Sequence, residues 1–255
     1  MKNYNIESYG DKLSDHYDRM YQEFPPYPGQ IEFLKSKTMS APALELGVGT
    51  GRIALPLALS GVSVIGMDSS ENMLDLLLKR SHDLPVIGIK ADASNFLIDE
   101  KINLAFAVFN LIFLLPSRES QVSCFRSVRK ALNSNGCFVI ECFVPSPDSY
   151  LPDGASPGFF PIKSSVNVRS ISNDHVSLFA SINDSENQVW RFQEIHLSAD
   201  AGVKLFPCVM NYQSPTQLDL IAKEAGMCLV ERYENWLGSH FSYASKKHIS
   251  VYRPI

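Results

Sequence analysis

The chain has 255 residues, 45% of them apolar and 20% charged, with a net charge of −4. That length buries a sizeable core as one large domain, or as one domain carrying an insertion. No basic run is longer than Lys246-Lys247, which argues against a nucleic-acid surface, and the longest apolar run, Leu104 to Leu115, contains Asn110 and stops at Pro116, short of the ~20 residues that cross a bilayer.

Helical apolar spacing (Leu13, Tyr17, Met20, Tyr21, Phe24) predicts an amphipathic helix over residues 8 to 24. Pro25-Pro26 and Pro28-Gly29 break it, and a short helix begins at Ile31, so residues 1 to 40 are expected to form lid helices. Ala41 to Leu44 is a short strand that runs into Gly47-Val48-Gly49-Thr50-Gly51 and then a helix with Ile53, Ala54, Leu57 and Ala58. Strands follow at Val62 to Asp68, Val86 to Lys90, Leu104 to Phe109 and Phe138 to Val144. Helices from Glu71 to Arg80 and from Ser117 to about Leu132 separate them, with Asn133 to Gly136 as the stop after the second. This alternation predicts a doubly wound α/β sheet.

The pattern changes after Pro145, where a loop rich in Pro, Ser, Gly and Asp runs to Gly158. Four strand-like runs follow: Val166 to Ile171, His175 to Ile182, Gln188 to Leu197 and Val203 to Met210. Asn/Asp/Gly turns join them, which predicts antiparallel hairpins: a cap over residues 147 to 211, inserted into a core of 41 to 146 and 212 to 255. Ser214-Pro215-Thr216-Gln217 is a capping box that restarts the α/β pattern, its helix stops at Gly226, and Met227 to Tyr233 and His248 to Tyr252 form a final strand pair.

The glycine loop lies between a strand and a helix N-terminus, where a ligand approaches bare backbone. A dinucleotide fingerprint has glycine at the first, third and sixth loop positions. Here the third glycine is at the fifth position, the sixth is Arg52, and Glu45 before the loop would repel a pyrophosphate. Asp68 ends the second strand and Asp92-Ala93 the third; Phe109-Asn110 ends the fourth. Ligands of such sheets sit outside these carboxyl ends. Asn110 either orients a substrate amine or the cofactor backbone, or satisfies local backbone groups. Tyr17, Tyr21 and Tyr27 either rim the pocket or pack the lid.

On the third cap strand Trp190, Phe192, Glu194 and His196 share one side. That side is either a substrate pocket, with His196 as a base, or a subunit interface that makes a homodimer through the cap. No His/Cys/Asp/Glu spacing suggests a metal. The five cysteines are scattered, as expected for reduced, buried thiols in a cytoplasmic protein, and the polar N-terminus carries no secretory signature.

The run Glu45-Leu46-Gly47-Val48-Gly49-Thr50-Gly51 resembles motif I of the class I S-adenosylmethionine (SAM) methyltransferases. The resemblance extends to Asp15 to Tyr21, Gly66 to Leu74, Ala91-Asp92-Ala93, Phe109 to Leu115 and Ser214 to Leu220. The whole layout is similar to bacterial small-molecule methyltransferases, in particular sugar-amine N,N-dimethyltransferases and glycine or sarcosine methyltransferases, which also carry an antiparallel cap after the fifth strand. The resemblance implies a Rossmann-like seven-stranded sheet, SAM as cofactor, S-adenosylhomocysteine as product, and SAM contacts from Gly47, Gly49, Asp68, Met73 and Asp92. With motif I upstream, Asp68 is expected to accept the ribose hydroxyls and Asp92 the adenine amino group, with the Ala93 N–H on a ring nitrogen. Glu45, Arg52, Ser69 and Phe109 complete the expected cofactor pocket, together with Tyr27, since an N-terminal tyrosine of this superfamily often reaches the methionine carboxylate. Tyr17, Asn110 and His196 are the catalytic candidates, and Tyr21, Phe113, Phe143 and Trp190 the substrate-wall candidates. A histidine common after the fourth strand of related enzymes is replaced here by Leu114-Leu115. The expected reaction is methyl transfer to a small-molecule amine or heteroaromatic nitrogen; the alternatives are O- or C-methylation, or SAM binding without turnover.

Overall fold

The structure is a computed structural model and describes residues 11, 25–39, 41–145, 164–242 and 244–255. Tyr17, Tyr21 and the rest of the expected lid helix apart from Asp11 lie outside the described residues, as does the loop from 146 to 158.

Helix α1 (Gln30–Thr38) precedes strand β1 (Ala43–Leu46), helix α2 (Ala54–Leu59), strand β2 (Val64–Asp68), helix α3 (Glu71–Ser81) and strand β3 (Val86–Lys90). Strand β4 (Ile102–Ala107), a four-residue helix α4 (Leu111–Leu114), helix α5 (Arg118–Ala131) and strand β5 (Leu132–Phe143) follow. The cap strands are β6 (Ser164–Ile171), β7 (His175–Asp184), β8 (Val189–Ser198) and β9 (Gly202–Asn211). Helix α6 (Pro215–Glu224) and strands β10 (Met227–Tyr233) and β11 (Lys247–Pro254) close the chain.

Two sheets result. The larger has the order β3-β2-β1-β4-β5-β11-β10. Strands β1 to β5 pair in parallel, and β11 runs antiparallel to both β5 and β10. The smaller sheet is the antiparallel meander β6-β7-β8-β9. The fully buried β1 and β4 lie in the middle of the larger sheet, as continuous apolar strands covered on both faces must. One face packs Leu34 of α1, Leu57 of α2 and Leu77 of α3; the other packs Phe125 of α5 and Leu218 of α6. Side-chain caps set the helix starts: the Ser70 hydroxyl accepts from Met73 N–H, Ser117 from Ser120 N–H, and Ser214 and Gln217 form the reciprocal box.

Three local differences from the sequence reading have physical causes. Strand β4 stops at Ala107, because Phe109 and Asn110 both take left-handed backbone (φ 56° and 65°), and this turn starts the unforeseen α4. Asn133 to Gly136 belong to β5 rather than to a free turn: Leu132 is already extended and pairs with Ile102, and a register irregularity absorbs the polar residues before Leu104 meets Cys137. Cys228 is exposed on the edge strand β10, unlike the four buried cysteines. No helix among the described residues is long and apolar enough to cross a membrane.

Candidate active site

The strand order reverses between the parallel neighbours β1 and β4, so a crevice opens at their carboxyl ends. The turn after β1 lines it. Gly47 (φ 66°) lies so close to Leu111 that a Cβ would collide with that side chain, and a Cβ on Gly49 (φ 54°) would meet nothing within 4 Å, only open space. Gly49 N–H donates to Asp68 Oδ2 and Ser70 N–H to Asp68 Oδ1, both at 2.9 Å. The Asp68 carboxylate is thus held by backbone on both oxygens, and each oxygen keeps acceptor capacity for a ligand hydroxyl. Burial is the main cause that raises its pKa; the Ser70, Gly49 and Ser69 amides oppose it, and the Asp11 charge adds to it. Asp11 joins this corner by accepting from Ser70 Oγ at 2.6 Å.

The ends of β2 and β3 meet where Ala91 N–H donates to the Asp68 carbonyl (3.0 Å). Beside them the Asp92 Oδ1 accepts from Ser94 N–H (2.7 Å), so Asp92 shapes the turn that presents Ala93. Met73 is buried in the first turn of α3.

Glu45 is buried, and its Oε2 has no hydrogen-bond partner among the described residues. Desolvation pushes its pKa up to about 8, against the attraction of the neighbouring Arg52. A buried carboxyl oxygen without a protein partner beside the glycine turn is an acceptor that a donor or cationic group can satisfy. The Arg52 guanidinium also stacks on the Phe109 ring, 5.0 Å from its centroid.

Glu141, which the sequence reading passed over, organises the next corner. It is a buried acid near the end of β5. Its carboxylate accepts from Lys247 Nζ (3.2 Å), Trp236 Nε1 (3.4 Å) and Phe109 N–H (3.4 Å), while its carbonyl accepts from Asn110 N–H (3.1 Å). The Lys247 ammonium lies 3.4 Å from the Tyr27 ring centroid, and burial, then the Glu141 charge, raise the Tyr27 pKa. The signal was present in Cys137-Phe138-Val139-Ile140-Glu141-Cys142-Phe143: a single acid in an otherwise apolar central strand. Asn110 Oδ1 accepts from Phe143 N–H at 2.7 Å, so its carbonyl oxygen ties the β4 turn to β5 while its amide nitrogen keeps both donors for a ligand.

Phe143 connects this corner to the cap. Its ring meets Phe113 (5.0 Å between centroids), Trp190 (5.9 Å) and Tyr212 (6.1 Å), the last also missed from sequence. Phe179 and Phe192 extend the aromatic wall behind Trp190. His196 shares the face of Trp190 but lies six residues further along β8, roughly 20 Å at ~3.3 Å per residue. There it contacts His175 (Nδ1 to Nε2, 3.3 Å) and Glu194 (3.8 Å), away from Asn110. The structure therefore brings Glu45, Gly47, Gly49, Arg52, Asp68, Phe109 and Asn110 around one crevice and packs Phe113, Phe143 and Trp190 into an aromatic cluster between the core and the cap, with His196 outside both.

A family profile described as a methyltransferase domain matches residues 43–136, the stretch from β1 into β5. The CcbJ methyltransferase of Streptomyces caelestis is 33% identical, with 98% of this chain and 99% of that chain covered and a TM-score of 0.84. The chain belongs to the class I methyltransferases. The curated cypemycin N-terminal methyltransferase of a Streptomyces species is 25% identical over 140 residues, 54% of this chain and 57% of its own length. The chain thus spans little more than half the length of that relative. DesVI of Streptomyces venezuelae shares the fold, at 19% identity, 95% and 98% coverage and a TM-score of 0.66.

Proposed function

We propose that this protein is a SAM-dependent methyltransferase that methylates a nitrogen of a small molecule. The observation that carries the cofactor assignment is the crevice at the carboxyl ends of β1 and β2. Asp68, held by two backbone amides, faces a glycine turn open to ligand, beside a buried Glu45 oxygen that lacks a partner. Those groups fit SAM. Asp68 would hold the ribose hydroxyls, the turn would admit the amino-acid end, and Glu45 would face its positive charge.

When bound, SAM supplies a methyl group already activated on a sulfonium. The chain has two remaining tasks: to align the acceptor and to exclude water. Phe113, Phe143, Trp190 and Tyr212 form the wall suited to both. None of these four is a base at neutral pH, and a neutral amine needs none to attack. The word "N-terminal" in the name of the cypemycin relative supports a nitrogen acceptor.

Calorimetric titration with SAM should show one site per chain. Incubation with isotopically labelled SAM and a panel of amines, amino sugars and phenols should give labelled N-methyl products by mass spectrometry. Labelled phenol ethers alone would replace the nitrogen assignment with oxygen, and SAM binding without any product would leave a binding protein.

A further inference from the structure

Glu141 makes contacts that the fold alone does not require. It is a buried acid between Ile140 and Cys142 in a strand that is apolar on both sides of it, where an apolar residue would pack without desolvating a charge. Its two oxygens have different partners. Oε1 accepts from Lys247 Nζ at 3.2 Å and from Trp236 Nε1 at 3.4 Å, and Oε2 accepts from Phe109 N–H at 3.4 Å. A carboxylate accepts at both ends; an amide of the same shape would turn its own donor toward one of these donor sets. Lys247 is in turn held against the Tyr27 ring, so the cation that orients Oε1 has a fixed place.

The backbone that Glu141 grips is strained. Phe109 and Asn110 are consecutive non-glycine residues at φ 56° and 65°. Asparagine tolerates that region and a bulky side chain such as Phe109 does not, so the pair persists only where its surroundings hold it. Three hydrogen bonds to β5 do so. Glu141 makes two of them, its carboxylate accepting from Phe109 N–H and its carbonyl from Asn110 N–H (3.1 Å). The third, from Phe143 N–H to Asn110 Oδ1, fixes the Asn110 side chain by its oxygen and leaves its amide nitrogen to a ligand.

We propose that Glu141 is a positioning residue for methyl transfer. Oriented by Lys247 and Trp236, it locks the Phe109-Asn110 turn so that the Asn110 amide stands where the crevice meets the Phe113–Phe143–Trp190 cluster. There the amide donates to an oxygen of the acceptor beside the reacting nitrogen. Arg52 stacked on Phe109 marks the cofactor side of this turn, and Phe143 bonded to Asn110 marks the acceptor side. The inference rests on the methyl-transfer reading above and adds to it a feature of the acceptor, a hydroxyl or carbonyl oxygen next to its amine.

A double-mutant cycle on the full chain tests this, with methyl-labelled SAM and the member of the panel above that the wild type methylates fastest. Glu141→Gln keeps the side-chain shape but cannot accept at both ends. It should lower kcat by at least about tenfold while the SAM Kd from calorimetry stays within about twofold. Asn110→Ala should lower kcat by a similar factor. The double variant Glu141→Gln/Asn110→Ala should be no slower than Asn110→Ala, because the turn then has no amide left to position. Losses that multiply, or a wild-type kcat in Glu141→Gln, overturn the inference. If Glu141→Gln does not fold, Trp236→Phe removes one donor to Oε1 and keeps a ring in place; kcat should then fall about threefold or more with Asn110 present and not at all in the Asn110→Ala protein. Amide hydrogen exchange gives a readout that needs no acceptor: peptides spanning Phe109 and Asn110 should exchange faster in Glu141→Gln, and unchanged exchange there overturns the inference as well. Failure of the underlying reading looks different, since a wild type that methylates no member of the panel removes methyl transfer itself and this role with it.

Discussion

The cofactor half of the crevice is made largely of backbone, and the acceptor half of side chains. Around Asp68 the defining contacts are the Gly49 and Ser70 amides, delivered by residues 19 and 2 positions away along the chain. Around Phe143 they are rings from α4, β8 and the residue that follows β9, supplied by segments that meet only in the folded molecule. A backbone site tolerates change in the side chains around it; an aromatic wall changes its shape with each substitution. The two halves should therefore respond to mutation independently, and that independence can be tested.

The largest expected effect is on the cofactor half. Asp68→Ala removes a charged acceptor worth ~1.5–3 kcal/mol per hydrogen bond, so SAM affinity should fall by at least tenfold and by up to about a thousandfold. Gly49→Val forces a β-branched residue to φ 54° and fills the open crevice, and should abolish binding in calorimetry. Variants that bind SAM like the wild type would remove the cofactor assignment.

Next comes the wall. Trp190→Ala should raise the acceptor KM or lower turnover by at least about tenfold while the SAM Kd stays within about twofold. A buried Trp→Ala change also costs ~3–5 kcal/mol of stability, so Trp190→Phe is the control that keeps the ring stack. A parallel loss of SAM affinity in the folded Trp190→Phe variant would show that the halves are coupled.

The same division explains what could be read before the structure was known. Glycine spacing, strand-terminal acids and the four cap strands are local signals, and β6 to β9 lie within a few residues of their expected limits. Asp68 and Gly49 were visible because short-range geometry joins them. Glu141 and Tyr212 were not, because their partners Lys247, Trp236 and Phe143 are distant in the chain. His196 illustrates the opposite error: period-two alternation placed it correctly on the Trp190 face, but a face extends the length of a strand, and six residues carry it away from the crevice.

Glu45 provides a smaller test of the cofactor half alone. Its pKa is raised to about 8 in the fold from an ordinary 4.5, so the folded protein holds an extra proton between those values. Stability of the ligand-free protein should therefore fall as pH rises from about 4.5 through 8, seen as a declining Tm. Glu45→Gln should flatten that slope in calorimetric melts. If SAM places positive charge against Glu45, binding releases this proton at neutral pH, and the Tm gain from SAM should be larger at alkaline than at acidic pH. An equal gain at both would remove Glu45 from the site while leaving Asp68 in place.

The smallest effect is expected where neither half is touched. Ser214 caps α6, with its hydroxyl accepting from Gln217 N–H and the Gln217 side chain returning to Ser214 N–H. Ser214→Ala should cost about 1 kcal/mol in chemical denaturation. Gln217 also exchanges hydrogen bonds with Gln188 at the start of the third cap strand, at 2.9 and 2.8 Å, so the capping box braces the cap root as well as the helix. The variant should keep its SAM Kd and lose no more than about threefold in acceptor KM. A larger KM change with normal SAM binding would mean that the cap is held in register for the acceptor through α6, and would place part of the acceptor half's rigidity in a helix that lines neither pocket.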